Sequence, residues 1–435
     1  MRYDIVIVGG GAGGLELAAR LGRRLGRAQG RDRVLLVDRS SYHIWKPTLH
    51  EVAAGTLDTD QEGLSYALLA RRNHFSFALG ELARLDAGAR RLTLKAILDD
   101  DGSRLAPERS VDFGRCVLAI GSGSNFFNTP GAAEHAFVLE QTADAERFHR
   151  RLLSAFARAS FEENGVVAIA IVGGGATGVE LSAELLEAHK EFNQSLSPGQ
   201  ATRLELSVVE AADRILGGLP ERISTQATQA LSERGIRVLT STRVDSVSAA
   251  GLETNGGPVA ADLVVWAAGV RAPAANAGLG LAVNRSNQFE VDDFLRTSAP
   301  DIFALGDCAA CPWRDGQIVP ARAQAAHQQA SYLARVLLAP PSGGEPGGAA
   351  RGAPSGAYAY RDFGSLVSLG ESHGVGSLMG SLGGGNFFVE GLVARWMYVS
   401  LHLAHHLAIL GLGPTLILAA ARLLQQRVSG RLKLH

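Results

Sequence analysis

The sequence predicts an α/β protein built on two βαβ nucleotide cradles, and three observations carry that reading. A β-branched apolar run at residues 4–8 leads into Gly9-Gly10-Gly11-Ala12-Gly13-Gly14 and then into a helix-forming stretch at 15–19. The same arrangement recurs: an apolar run at 168–172, then Gly173-Gly174-Gly175-Ala176-Thr177-Gly178, then a helical stretch at 179–185. Three later apolar runs, at 116–121, 263–269 and 301–306, each end on glycine.

The chemistry of each cradle dictates its residues. Gly9, Gly11 and Gly14 match the G-x-G-x-x-G spacing. The first glycine makes a tight turn, the second lets a pyrophosphate touch the backbone, and the third lets helix pack on strand. The phosphate then rests on unpaired N–H groups of the helix N-terminus, beginning at Ala12. The following strand, 34–38, ends in Asp38, 24 residues past Gly14 and close to where an acid takes a ribose hydroxyl; Arg39 comes next. In the second unit the corresponding residues are Gly173, Gly175, Ala176, Thr177, Gly178 and Glu210. The polar stretch 189–202 extends the helix and loop and accounts for the longer spacing. Ala211 and Ala212 follow Glu210, which favours the free 2′-hydroxyl of NADH over the 2′-phosphate of NADPH, although Arg214 is near. Two dinucleotides on one chain imply electron transfer between them, one a tightly held flavin and the other a nicotinamide.

Composition narrows the class. A chain of 435 residues implies two or three domains. With 46% apolar and 20% charged residues it is neither disordered nor fibrous. Lys+Arg 42 against Asp+Glu 43 gives a net charge of -1, which argues against a nucleic-acid partner. Cys116, Cys308 and Cys311 are too few for a disulfide scaffold and suit a reducing compartment. No secretory leader is expected, because the chain goes directly from Met1 into a strand. Residues 407–421, the longest uncharged apolar candidate, contain Gly411, Gly413 and Pro414 and are too short to span a bilayer.

Two fingerprints, two strand–glycine crossovers and the late Gly306-Asp307 resemble the two-dinucleotide-fold flavoprotein oxidoreductases. The resemblance implies a discontinuous FAD domain, residues 1–125 and 286–390, around an inserted NADH domain, 126–285. It places Ala119, Gly121, Ser122, Gly306 and Asp307 on FAD, with Ala268 and Gly269 on NADH. Disulfide reductases of that group carry a cysteine pair beside the flavin. The one C-x-x-C here, Cys308 to Cys311, follows the Gly-Asp instead and reads as small residues lining the flavin site.

A narrower resemblance spans the chain. Trp45-Lys46-Pro47-Thr48-Leu49-His50-Glu51, Trp266-Ala267-Ala268-Gly269, Ala323-Gln324-Ala325-Ala326-His327-Gln328, Gly364-Ser365-Leu366-Val367-Ser368 and Arg431-Leu432-Lys433-Leu434-His435 resemble bacterial type II NADH dehydrogenases, the non-proton-pumping NADH:quinone oxidoreductases of respiratory chains. By that resemblance Lys46 joins the FAD contacts, Gln324 and Gln328 line a quinone pocket, and Glu180 lies near the flavin–nicotinamide stack. His327 is a candidate proton donor to the reduced quinone. No metal is expected.

Residues 340–356 are dominated by glycine and proline and read as a flexible insertion. Residues 391–435 hold no Asp or Glu but include Arg395, Arg422, Arg427, Arg431 and Lys433. Two amphipathic helices there, around 396–403 and 415–424, are expected to lie in the headgroup layer, their arginines on anionic lipid phosphates. His402, His405 and His406 then need no metal. The resulting expectation is a peripheral flavoenzyme on the cytoplasmic face of the bacterial inner membrane, with FAD and NADH as cofactors and a membrane quinone as acceptor. A homodimer is left open. The rival reading is a soluble FAD-dependent NADH reductase serving a small redox protein; an NADH-sensing scaffold is the alternative from another class.

Overall fold

The computed structural model describes residues 1–99, 101–163, 165–197, 199–338, 356–369, 374–379, 386–390 and 392–425. Residues 340–355 of the expected insertion and the basic tail with Arg427, Arg431 and Lys433 lie outside them, as does the side chain of Arg395.

The chain opens with β1 (Arg2–Val8), α1 (Ala12–Arg33) and β2 (Val34–Asp38). Short helices α2 (Leu49–Ala54) and α3 (Tyr66–Asn73) precede β3 (Ser76–Leu79), β4 (Leu82–Asp86), β5 (Arg91–Leu94) and the long β6 (Arg109–Leu118). The second unit follows as α4 (Thr142–Ala159), β7 (Val166–Val172), α5 (Ala176–Ser195), β8 (Arg203–Val209) and β9 (Leu263–Trp266). The chain then returns with β10 (Ile302–Ala304) and α6 (Ala323–Val336), and ends in α7 (Leu392–Leu410) and α8 (Leu412–Gln425).

The first sheet runs β3-β2-β1-β6-β5-β4, with β10 also pairing β6. Its parallel strands are near-continuous Val/Ile/Leu runs because they are buried in one core with α1, α6 and the segment that holds Phe289, Val291 and Leu295. Val6, Ile7, Leu36 and Val117 are fully buried. That β10 joins β6 in parallel, Cys116 opposite Ile302, makes this sheet discontinuous in sequence. The second sheet is wholly parallel: β9, β7 and β8 form its centre, flanked by Ala136–Phe137 and Arg237–Leu239. The chain passes from one sheet to the other through Gly123–Ser124 and returns through Val270–Arg271, and these two segments pair antiparallel.

The cores do not follow sequence order. Leu49, Val52, Ala53 and Ala54 of α2, with Val367 and Leu369, pack into the core of the second sheet around Phe148 and Phe156. Strand 365–368 belongs to a small antiparallel sheet with 374–379 and 386–390.

The C-terminal helices differ from the sequence expectation in how they face. A helix with apolar residues all round need not float free: α7 buries His402, His405, His406, Ile409 and Leu410 against the first unit. Arg23 of α1 bonds to the Ala408 carbonyl, and Asn73 of α3 donates to the Ile409 carbonyl at 2.9 Å. Gly411, at φ +81°, then turns the chain into α8 in a conformation that suits glycine. Here Leu412, Leu416 and Ile417 stand 65%, 60% and 69% exposed. Arg422, expected on lipid phosphate, turns inward to Glu51 at 3.4 Å and Glu62 at 3.6 Å. Among the described residues no helix is long and apolar enough to cross a membrane.

Asn73→Ala removes two backbone partners, the carbonyls of Leu69 and Ile409. At ~1 kcal/mol per lost bond, amide hydrogen exchange at 408–411 is expected to accelerate several-fold while that of β1 and β6 stays unchanged.

Candidate functional site

The two cradles are built alike. Gly9 sits at φ +105° and Gly173 at φ +110°, where a side chain would be strained and would also strike the opposite crossover at Ala119 or Ala268. A Cβ on Gly14 would run into the Gly9 carbonyl oxygen, and one on Gly178 into that of Gly173. Those glycines are demanded by the chain itself. Gly11 and Gly175 differ: a Cβ on either meets nothing within 4 Å. Their missing side chains therefore clear a surface rather than relieve a clash, as a bound pyrophosphate requires. Neither α1 nor α5 has a side-chain cap or an acid in its first turn, so the N–H groups and the positive helix end are left for an anion.

The acids sit as their spacing predicts. Asp38 accepts the Gly10 N–H at 2.6 Å and the Ser40 N–H at 2.8 Å. Glu210 accepts those of Gly174 at 2.7 Å and Ala212 at 2.8 Å. Each carboxylate oxygen keeps lone-pair capacity for a ribose hydroxyl. Burial raises the Asp38 pKa, with the Ser40 and Gly10 N–H groups opposing. Arg39 is exposed beside it. Arg214 is fastened to the carbonyls of Leu219 at 2.9 Å and Gly217 at 2.8 Å, so it is not free to receive a 2′-phosphate.

At the Gly-Asp turn, Asp307 accepts from Ser122 Oγ at 2.9 Å, beside Gly121 at φ +71°. Gly306 N–H donates to Gln329 at 2.7 Å, and Gln288 donates to the Asp307 carbonyl at 3.0 Å. Lys46 reaches Glu140 at 2.6 Å and the Ser122 carbonyl at 3.1 Å. Gln288, Gln329 and Glu140 were not singled out from sequence. Gln329 adjoins the Gln324–Gln328 motif, whereas Glu140 carries no local signal.

Gln324 and Gln328 are backbone staples. Gln324 donates to the Gly364 carbonyl at 2.9 Å and accepts the Phe363 N–H at 3.2 Å. Gln328 makes the equivalent pair with Arg361, at 2.8 and 3.1 Å. His327, one turn from Gln324, meets the buried carboxylate of Glu16 through Nδ1, and Arg20 holds that carboxylate's other oxygen.

Beyond the second cradle lies a buried acid cluster. Glu180 accepts the Ser368 N–H at 3.0 Å and stands 3.7 Å from His50 Nδ1. Burial pushes its pKa up to about 8, the Ser368 N–H opposing and the Glu51 and Glu184 charges adding to the rise. Glu51 rises to about 7, again chiefly by burial, then by Glu184, with Arg422 opposing. Burial lowers His50 to about 4, so its ring is neutral. Thr56 donates to Glu184 at 3.0 Å.

A second buried group joins α7 to the first cradle. His43 Nδ1 lies 3.0 Å from the Gly10 carbonyl, which can only accept, so that nitrogen carries the hydrogen. Burial lowers His43 to about 4; neutral, it accepts through Nε2 from His405 Nε2 at 2.8 Å. Trp45 stacks on His405. Among the described residues no group of three or more His, Cys, Asp or Glu is placed to hold a metal. The three cysteines are free thiols, and burial pushes each up to about 12, far from a reactive thiolate.

Two open cradles on two sheets define a protein that carries two dinucleotides, and the family described as "Pyridine nucleotide-disulphide oxidoreductase" matches residues 3–330. A "Type II NADH:quinone oxidoreductase" from Haemophilus influenzae is 39% identical over 455 residues, covering 99% of this chain and 100% of the relative. One of the same description from Staphylococcus saprophyticus is 26% identical, covering 87% and 90%. Among solved structures, NDH2 from Plasmodium falciparum in complex with NADH superposes with a TM-score of 0.79 at 17% identity, covering 99% of each chain. A ferredoxin reductase from Rhodopseudomonas palustris reaches 0.65 at 22% identity, covering 88% and 83%. The chain belongs to the pyridine nucleotide-disulphide oxidoreductase family and, within it, to the type II NADH:quinone oxidoreductases.

Two outcomes test this geometry. Gly178→Ala is expected to cost ~1–3 kcal/mol through overpacking and to lower the melting midpoint. Gly175→Val leaves that midpoint unchanged yet weakens NADH binding by roughly tenfold or more, the loss of about one good contact. For Glu180, the folded value of about 8 lies above the ordinary carboxyl value, so the folded state binds more protons in between and stability falls as pH rises through that window. Glu180→Gln copies the protonated form. It is expected to raise the melting midpoint at pH 9 and leave it unchanged at pH 5, a difference of order 2–4 kcal/mol, read by calorimetry.

Proposed function

We propose that this protein takes a hydride from NADH on the second cradle and delivers two electrons, by way of FAD on the first, to a membrane quinone. The observation that carries this reading is the pair of open glycine cradles, each closed by a single acid, in one chain. FAD, when bound, supplies the two-electron chemistry that links a hydride donor to a quinone. The overall balance is NADH, one proton and quinone to NAD⁺ and quinol.

The chain's own residues then have definite tasks. Gly11 and Gly175 admit the pyrophosphates, Asp38 and Glu210 hold the riboses, and the Gly306-Asp307 turn, braced by Ser122, Gln288 and Gln329, faces the flavin's polyol and phosphate arm. Residues 1–125 and 286–390 make the FAD domain and 126–285 the NADH domain. Discontinuity of the first sheet supports that division. Glu180, protonated below about pH 8, holds a proton in a buried acid cluster beside the nicotinamide site. Gln324 and Gln328 shape the quinone pocket by fixing backbone 361–364, and His327, steadied by Glu16, presents a proton to the quinone oxygen.

The quinone acceptor is favoured over a protein disulfide because all three cysteines are buried as thiols. It is favoured over a small redox protein by the relatives' shared description and by the apolar exposed side of α8. Such a surface suits a peripheral position on a bilayer, and NADH chemistry with free thiols suits its cytoplasmic face, the inner membrane of a bacterium.

Anaerobic stopped-flow on the FAD-loaded protein in detergent tests the reading. NADH is expected to bleach the flavin quickly, NADPH at least about tenfold more slowly for want of a cation at Glu210. A short-chain quinone should then restore the oxidised spectrum within a turnover. Fast bleaching followed by sluggish reoxidation would remove quinone as the acceptor and favour the redox-protein reading.

A further inference from the structure

Acids make up 43 of the 435 residues, about one in ten, yet residues 17–31, 63–80 and 391–435 contain none. The structure brings these three segments together. Arg23 of α1 holds the Ala408 carbonyl, and Asn73 at the end of α3 holds that of Ile409, so both helices grip the last turn of α7 just before the Gly411 corner. Around that corner the surface is apolar: Leu407, Leu412, Leu416 and Ile417 are exposed, and so is Leu68 of α3. On the two helices that hold this corner, Arg24 and Arg27 lie exposed on either side of the α1 kink at Gly26, and Arg71 and Arg72 lie exposed on the last turn of α3. None of these four arginines forms an ion pair among the described residues. Arg422, the basic residue of α8 within the described segment, is instead committed to Glu51 and Glu62.

We propose that α1 and α3, far from the C-terminus in sequence, supply a cationic rim of Arg24, Arg27, Arg71 and Arg72 that sits on anionic lipid headgroups while the α7–α8 corner enters the layer beneath. This rests on the peripheral-membrane reading above and assigns its electrostatic half to a different part of the chain. An aliphatic ridge with unpaired guanidinium groups on the helices that hold it matches the two layers of a bilayer surface, acyl chains below and phosphates above. A nucleic acid would meet the same arginines but has nothing to cover the ridge.

The test uses the full FAD-loaded protein in vesicle flotation, with phosphatidylcholine vesicles and with vesicles containing about a third phosphatidylglycerol, a composition chosen to give a surface potential. The wild type is expected to bind the anionic vesicles roughly tenfold or more tightly, with the advantage shrinking in high salt. The quadruple variant R24Q/R27Q/R71Q/R72Q loses that advantage and keeps its affinity for phosphatidylcholine, its FAD content and its short-chain quinone turnover in detergent. An undiminished preference for anionic vesicles in this variant overturns the proposal. A second variant, L416S/I417S, separates the two readings. It should leave both vesicle types while the anionic preference of any residual binding persists. If it floats as the wild type does, the membrane reading itself fails. A quadruple variant bound to nucleic acid less tightly but to vesicles as before would also count against the lipid assignment.

Discussion

A dinucleotide's pyrophosphate has to come within hydrogen-bond reach of bare backbone N–H groups, and most of the molecule is arranged around that approach. It excludes side chains at Gly11 and Gly175, leaves the starts of α1 and α5 uncapped, and forces Gly9 and Gly173 to positive φ so the chain can turn without colliding with the crossover behind. Each N–H of the middle glycine is then claimed by the acid closing the next strand, Asp38 or Glu210. One carboxylate thus shapes the loop and, in the proposed binding mode, also meets the ribose. Because the demand comes from the ligand's geometry, it is met twice with nearly the same local structure on two different sheets.

The second organising feature is electrostatic. Glu180 and Glu184 of α5 meet Glu51 of α2 in a site mostly closed to water, and the positive charge that reaches it comes from α8. Carboxyls so placed keep their protons more readily, since burial disfavours the charged form and each charge disfavours the next. The nucleotide-binding helix and the C-terminal helix therefore share one charge balance. The imidazole pair His43–His405 does something similar on the other side, tying α7 to the Gly10 carbonyl of the first cradle. The last helices are accordingly bound into the nucleotide sites rather than appended to them.

Much of the fold was legible in the sequence because its signals are local. The glycine spacings, the buried parallel strands and the closing acids each follow from a few adjacent residues, and the comparisons agree with the class they imply. What was not legible depended on contacts between distant segments. Arg422 was expected on lipid from its place in an acid-free tail, but Glu51 and Glu62 lie 371 and 360 residues earlier in the chain, and only the folded arrangement reveals them. Gln324 and Gln328 sit in the expected helix, yet nothing local shows that their amides bind residues 361–364. Glu140, which holds Lys46, lacks a motif altogether. Pairs of this kind are decided by tertiary packing, which periodicity does not encode.

The paired segments Gly123–Ser124 and Val270–Arg271 have a consequence for how such a chain can change. The path out to the second sheet and the path back lie side by side as hydrogen-bonded neighbours, so the intervening stretch has its two ends at one place. A segment with adjacent ends can be exchanged or lost as a cassette, bridged by a short turn, without disturbing the parallel register of Cys116 and Ile302 on which closure of the surrounding sheet depends. The architecture is in that sense a socket and a plug. On the proposed assignment, replacing the plug alone would change which soluble electron donor the socket serves.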